Sequence, residues 1–378
     1  MLNLTSDRLT NKQSGSKLFG KEYGLKYVQA GFVSIPRYGR SIVFNAKNQA
    51  MSDEIHAFSS DEPPEIQVRT HHRYHEVMNA CNALPALVTA VVHPVDEFDI
   101  VSVQDAVNEK LIKPVLVGPA GRIRSAASNA GIDLSAWEIV DAAHSHESAE
   151  KAASLAAEGE VEAIMKGSLH TDELLGPIVA HGSRLRTGKR LSHSYVMDTA
   201  GYDKWLIITD GVVNIAPDLC TKADICRNSV DVWHILTGES RLPKIAVLAA
   251  VEVINPSMQA TLDAAALCKM AERGQITGCV IDGPLAFDNA ISREAARKKG
   301  IVSEVAGDAD ILLTPDIEAG NILAKQLAFI SHADVAGIVM GARVPVILTS
   351  RADNLRARLL SCALAVLTAQ ARREGRIL

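Results

Sequence analysis

The feature that most restricts the fold is a regular alternation of buried-strand and helix patterns, beginning at Leu84 and running almost to the end of the chain. LPALVTAVVHP is followed by a helix over Ser102–Lys110, KPVLVGP by a helix from Arg122, and EIVDA by a helix over Glu147–Gly159 that leads into VEAIMKG. Short apolar runs separated by helical stretches are the pattern of a parallel, doubly wound α/β sheet. A second series starts near Ser192: SHSYVMDT, WLIITDGVVNI, a helix over Thr221–Leu236, KIAVLAAVE, a helix over Thr261–Arg273, GCVIDGP, a helix after Ser292, and DILLTPD. The last pieces, AGIVMGA and VPVILTS with the closing helix, are assigned back to the first series. No internal repeat or heptad array is visible.

A chain of 378 residues exceeds the usual size of one core, so two α/β domains are expected. The expected division is an N-terminal extension of unknown structure over residues 1–72, containing the linker-like SSDEPPE; a first domain of residues 73–190 and 337–378; and a second of residues 191–336. Apolar residues at 47% with aromatics at only 4% suit aliphatic helices packed on buried parallel strands. A net charge of -5 argues against a general nucleic-acid binder. No apolar run reaches the roughly 18 to 20 residues that span a bilayer, and MLNLTSDRLTNKQSGSK lacks the order of a signal peptide. The expectation is a soluble, cytoplasmic chain with no membrane or nucleic-acid partner. Its six cysteines contain no CxxC and read as small buried hydrophobes. The histidines of HHRYH (His71–His75) and HSH (His144, His146) lack a ligand framework of recognised spacing and read as surface or capping residues; no metal is expected.

Common nucleotide and nucleophile motifs fail on spacing. Gly182 and Gly188 are one residue too far apart for a Walker loop, and Lys189 is followed by Arg190. GIVMGAR is not GxGxxG, and no GxSxG occurs. Several strands instead run into small, polar, Gly-rich loops: IMKGSLHT, IITDGVVNI, VIDGPLAFDN and ILLTPDIEAGN. The sharpest is VPVILTSRADNLRAR, where an apolar strand stops at Ser350-Arg351 and a helical pattern follows at once. A hydroxyl and a guanidinium then stand beside free helix N–H groups at the carboxyl end of a strand, which suits phosphate. Loops of one kind are expected to converge on one cleft.

Taken in order, MKGSLHTDELLG, RTGKRLSHSYVMD, ITDGVVNIAPDL, AVEVINP, DGPLAFDNAIS, VAGDADILLTPDIEAGNILAKQL and PVILTSRAD resemble the phosphate acetyltransferase/phosphate butyryltransferase family, from about His72 to Gln370. The resemblance implies reversible transfer of a short acyl group, acetyl first and butyryl or propionyl second, between coenzyme A and inorganic phosphate. It implies direct thiolate attack on acyl phosphate in a cleft between two α/β domains, in a fold like that of isocitrate and isopropylmalate dehydrogenases. It further implies a homodimer with no metal and no resident cofactor, acyl-CoA, phosphate and acyl phosphate being the small-molecule partners.

By the same resemblance Ser350 hydrogen-bonds the developing oxyanion and Arg351 holds the phosphoryl group. The family's acetyltransferases carry an aspartate seven positions after that serine, where this chain has Ala357. Asp353, four residues earlier, is the candidate substitute base that takes the thiol proton, with a helix-capping role as the alternative. Gly176 stands where several relatives have an arginine, so the phosphate clamp is sought in Lys166 and in the basic loop Arg184, Arg186, Lys189 and Arg190. Asn321 is expected at the start of a helix NILAKQLAF, facing the acyl phosphate or capping that helix, with Asp316 and Lys325 beside it. His170 is a further substrate-binding candidate, or a cleft-wall residue next to a Thr171 or Ser168 cap. A metal-dependent dehydrogenase is the competing enzyme class, and a non-catalytic acyl-CoA or phosphate sensor or scaffold the competing non-enzyme.

Overall fold

The computed structural model describes residues 71–350 and 352–377, so Arg351 and nearly all of the expected extension lie outside the described residues. The first half of the described chain runs α1 (His72–Cys81), β1 (Leu87–Val92), α2 (Glu97–Asn108), β2 (Ile112–Gly118), α3 (Ala120–Ala130), β3 (Glu138–Asp141), α4 (Ser145–Glu158), β4 (Ala163–Lys166) and α5 (Thr171–Val179). Next come β5 (Ser192–Asp198), β6 (Leu206–Thr209), α6 (Leu219–Thr237), β7 (Lys244–Leu248), α7 (Gln259–Glu272), β8 (Val280–Leu285), α8 (Phe287–Ile291), α9 (Arg293–Lys298) and β9 (Ile311–Leu313). The last elements are α10 (Ile317–Phe329), β10 (Asp334–Met340), β11 (Val346–Ile347) and α11 (Leu355–Arg373).

The expected alternation is therefore present, and where helix starts shift from their expected positions, side-chain caps set them. Asp96 accepts the Asp99 N–H and starts α2 five residues ahead of the expected Ser102. His144 accepts the Glu147 N–H at the head of α4, which fulfils the capping expectation for the HSH pair. Asp218 does the same for α6.

All eleven strands share one sheet in the order β3-β2-β1-β4-β11-β10-β5-β6-β9-β7-β8. The pairs from β3 to β11 and from β6 to β8 are parallel, as expected. The centre is not: β5 runs antiparallel to both β10 and β6, and β10 antiparallel to β11. The fully parallel expectation is corrected here, and the connections explain why. A parallel return needs a crossover of about a dozen residues or more. Residues 199–205 between β5 and β6, and 341–345 between β10 and β11, are too few. The fold is thus α/β with two lobes and a mixed sheet, in which β11 pairs in parallel with β4.

Helix α11 anchors the centre. Leu359, Leu360, Cys362, Ala363, Leu364, Ala365 and Val366 are all buried, and the small residues among them let the helix lie close to β10. Each fully buried Leu or Val is worth about 1.5 to 3 kcal/mol. A bulkier side chain at Ala363 would overpack that contact at a cost of about 1 to 3 kcal/mol. Separate apolar clusters fill the lobes, one around Val92, Ile164 and Ile178 and another around Ile208, Leu248 and Leu312.

Candidate active site

The carboxyl ends of β4 and β11 lie side by side, because these strands pair in parallel through Ile164–Val346 and Met165–Ile347. The loops that leave them carry Lys166 to His170 on one strand and Leu348 to Ser350 on the other, and both line one cleft of about 730 Å³. That volume suits a reactive small-molecule group with its carrier arm. The remaining walls come from alternate residues of β5 (His193, Tyr195, Met197), from Val335 and Gly337 of β10, and from α10. On α10, Asn321, Lys325 and Ala328 recur at helical spacing and so share the cleft face.

Of the residues anticipated from sequence, Ser350, Asp353, Lys166, His170, Asn321 and Lys325 are brought together in this cleft. Asp353 Oδ2 accepts the Ser350 N–H at 2.7 Å, and Ser350 Oγ accepts the Ala352 N–H at 3.3 Å. Burial raises the Asp353 carboxyl above the ordinary range, against the opposing Ser350 N–H bond and the charges of Lys325 and Arg358. The capping alternative for Asp353 is corrected: α11 begins at Leu355, and the side chain at its head is Asn354, which accepts the Ala357 N–H at 2.9 Å.

The expected helix start at Asn321 is also corrected. Helix α10 begins at Ile317, and Asp316 caps it by accepting the Ala319 N–H at 2.8 Å. Asp316 is therefore the cap and is not among the cleft residues. Asn321 lies one turn inside, and its Nδ2 donates to the Gly211 carbonyl at 3.0 Å. The close approach depends on Gly320, since a Cβ there would lie 2.5 Å from the Asp210 carbonyl oxygen. Asp210 in turn organises its loop by accepting from Val212, Val213 and Asn214 N–H groups. At the other wall α5 starts after His170, whose own N–H is taken by Glu173 Oε2 at 3.0 Å. Thr171 and Ser168 do not cap this helix, and the Ser168 hydroxyl donates to Asp96 instead.

The basic loop is not brought into the cleft. Arg186 and Arg190 line a separate hollow of about 410 Å³ with Gly341, and Lys189 is paired with Asp231 at 2.6 Å. Arg184 lines a third hollow together with Gly176 and Pro177, which adjoins the cleft through Glu173, a residue common to both. Sequence reasoning missed His193, Tyr195 and Met197. Their alternate spacing in SHSYVMD, which puts all three on one face of a strand, was the available signal.

A family model described as "Phosphate acetyl/butaryl transferase" matches residues 145–366. The phosphate acetyltransferase of Rhizobium meliloti is 52% identical over 306 residues, covering 81% of this chain and 96% of its own length. The chain belongs to the phosphate acetyl/butyryltransferase family. Another member, the phosphate butyryltransferase of Clostridium acetobutylicum, is 42% identical over 296 residues, 78% of this chain and 98% of its own length. Among solved structures of this family's kind, a branched-chain phosphotransacylase from Enterococcus faecalis superposes with a TM-score of 0.64 at 28% identity, covering 75% of this chain and 99% of that one. Of the family's strings quoted from the sequence, MKGSLHTDELLG, SHSYVMD, ITDGVVNI, EAGNILAKQL and PVILTSRAD contribute residues to the cleft, whereas AVEVINP and DGPLAFDNAIS do not.

Proposed function

We propose that this phosphate acyltransferase moves an acetyl group reversibly between coenzyme A and inorganic phosphate by direct attack within the cleft. The observation that carries the reading is the convergence of Ser350 and Asp353 with Lys166, Asn321 and Lys325 in one cavity that Met197, Val335 and Phe329 also line. In the direction of acyl-CoA formation, the coenzyme thiol gives up its proton and its sulfur attacks the acyl phosphate carbonyl. A C–S bond forms, the C–O bond to phosphorus breaks, and phosphate leaves with the bonding pair. Making a thiolate at pH 7 costs about 2 kcal/mol from a thiol pKa of about 8.5, so a proton acceptor is needed. Asp353 takes that role, its raised carboxyl being a better base than an exposed aspartate.

Lys166 and Lys325 supply positive charge for the phosphoryl group, and the Ser350 hydroxyl donates to the carbonyl oxygen. Arg351 completes the phosphate clamp on the strength of the family motif. His170 and Asn321 shape the walls, and Asp316 acts through the start of α10. Arg184, Arg186 and Arg190, outside the cleft, meet the phosphates of the coenzyme far from its thiol. The assignment of residues 73–190 with 337–378 to one lobe and 191–336 to the other, a dehydrogenase-like arrangement of those lobes, a homodimer and a cytoplasmic setting complete the proposal. Supporting the last, no helix of the described residues is long and apolar enough to cross a membrane.

A butyryl or propionyl substrate is the second reading, favoured by the apolar side chains of Met197, Val335 and Phe329, which line the same cleft. The test is release of free thiol from acetyl-, propionyl- and butyryl-CoA, each with and without phosphate. Phosphate-dependent release that is fastest with acetyl-CoA fits the proposal; faster release from butyryl-CoA selects the second reading, and release independent of phosphate rejects both.

A further inference from the structure

One buried group in the cleft has no use in the scheme above. His193 is only 1% exposed, lines the cleft, and its Nδ1 has no hydrogen-bond partner among the described residues. Two other buried polar groups nearby are satisfied: His93 Nδ1 meets Ser148 Oγ at 3.2 Å, and the Thr209 hydroxyl donates to the His193 carbonyl at 2.8 Å. The Ser194 hydroxyl, on the opposite face of the same strand, is also without a partner among the described residues but does not line the cleft. An orphaned buried nitrogen is an unfavourable feature that an apolar side chain of similar size would avoid, so its presence calls for a partner that arrives with a ligand.

The surroundings hold this ring firmly. It packs edge-on against Tyr195 with centroids 4.3 Å apart. It also lies over Gly337, where a Cβ would stand 2.8 Å from both His193 Nε2 and the Leu348 carbonyl oxygen. Leu348 is two residues before Ser350, so the imidazole is fixed beside the strand end that delivers the reacting corner. Burial drives its pKa down to about 4, with Asp210 opposing only in part. The ring is therefore uncharged at neutral pH and offers one N–H and one lone pair.

We propose that His193 is a catalytic hydrogen-bond donor of this cleft, its imidazole N–H meeting the acyl carbonyl oxygen as the tetrahedral centre forms. An uncharged, preorganised donor grips the ground-state carbonyl weakly and the developing oxyanion strongly, which is the differential binding that lowers a barrier. A cation there would instead hold the phosphate dianion equally well before and during reaction. The inference rests on the acyl-transfer reading given above.

The test compares the full chain with H193L, H193N and H193Q, measuring phosphate-dependent thiol release and melting temperature together. The two amides return an N–H near the Nδ1 and Nε2 positions respectively. In H193L the expected result is a fall in kcat of about 100-fold or more, typical for one oxyanion donor. The KM for phosphate should stay within about threefold, and the melting temperature should be equal or higher because the orphaned nitrogen is gone. One of the two amides should recover at least about tenfold of the lost kcat. Wild-type-like kcat in H193L overturns the inference while leaving the transferase reading intact. A fall in kcat matched by a fall in melting temperature, with no recovery in either amide, also overturns it by making His193 structural. Absence of phosphate-dependent release by the wild-type chain rejects the transferase reading itself, and the inference with it.

Discussion

Two regions of this molecule hold desolvated or partly desolvated aspartates and give them opposite charge balance. At the edge of the second lobe Asp310 is fully buried, yet Arg241 donates to it through Nη1 and Nη2 at 2.7 and 2.9 Å, Lys204 lies 2.8 Å away, and the Lys244 N–H adds a fourth contact at 2.8 Å. Its neighbour Asp308 is gripped by Lys244 and Lys204 and approached by Arg293. Burial alone would raise both carboxyls, but the cations outweigh it, and Asp308 is held down at about 2. In the cleft, the Asp353 carboxylate has, among the described residues, one N–H partner and no ion pair with Lys325 or Arg358, so burial outweighs their charges and its carboxyl is raised. A saturated carboxylate fixes structure; an under-partnered one is left able to exchange a proton.

That contrast can be broken most sharply at Asp353. D353N keeps an oxygen for the Ser350 N–H but cannot take a proton, so kcat should fall by about 10² to 10⁴, the span of general-base contributions. Its melting temperature should not fall, since the asparagine carries no buried charge. A stable D353N with normal turnover would place the base elsewhere. At the other cluster D310N should do the reverse, losing about 3 kcal/mol of stability because cations lose a buried partner, with turnover per folded molecule unchanged. Urea unfolding and active-site-normalised rates separate the two.

A smaller effect is expected at the apolar wall. M197A should raise the ratio of kcat/KM for butyryl-CoA over acetyl-CoA by about tenfold or more, as one or two added methylenes find room. An unchanged ratio would mean that Met197 does not meet the acyl tail. R186A/R190A should raise KM for coenzyme A by about tenfold while leaving kcat and the KM for phosphate alone, a loss of surface charge contacts. The pH dependence of stability sharpens the comparison last. Asp308 has a folded pKa depressed from 3.8 to about 2, so its contribution is complete above about pH 4 and is lost as pH falls toward 2. Asp353 has the opposite sign: its raised folded pKa favours the folded state below the unfolded value, and that advantage disappears as pH rises through the folded one. Acid titration of D308N and D353N should therefore flatten the stability curve in opposite directions.

The layered fold was legible because apolar runs such as VEAIMKG and KIAVLAAVE bury on both faces and alternate with helices capped by Asp or His. Strand direction was not, since nothing in SHSYVMD distinguishes a parallel from an antiparallel neighbour; the short 199–205 connection carried that information. The corner residues Ser350 and Asp353 were found because a strand end and a helix start are both written locally. The start of α10 was misplaced because Gly320 reads as a helix breaker, whereas it is tolerated inside the helix to let the Asp210 loop approach. Likewise the basic loop drew attention by its charge, but charge in sequence does not say which cavity a loop faces. His193 carried the fainter signal of period-two spacing with Tyr195 and Met197, visible only once the cleft is known.

The most direct test of the central claim is phosphate-dependent release of free thiol from acetyl-CoA by the full chain, beside an S350A/R351A double variant of matched melting temperature. Turnover by the wild type that requires phosphate and falls by about 10³ or more in the variant is what the corner predicts. Equal turnover in the two proteins, or wild-type turnover indifferent to phosphate, would contradict it.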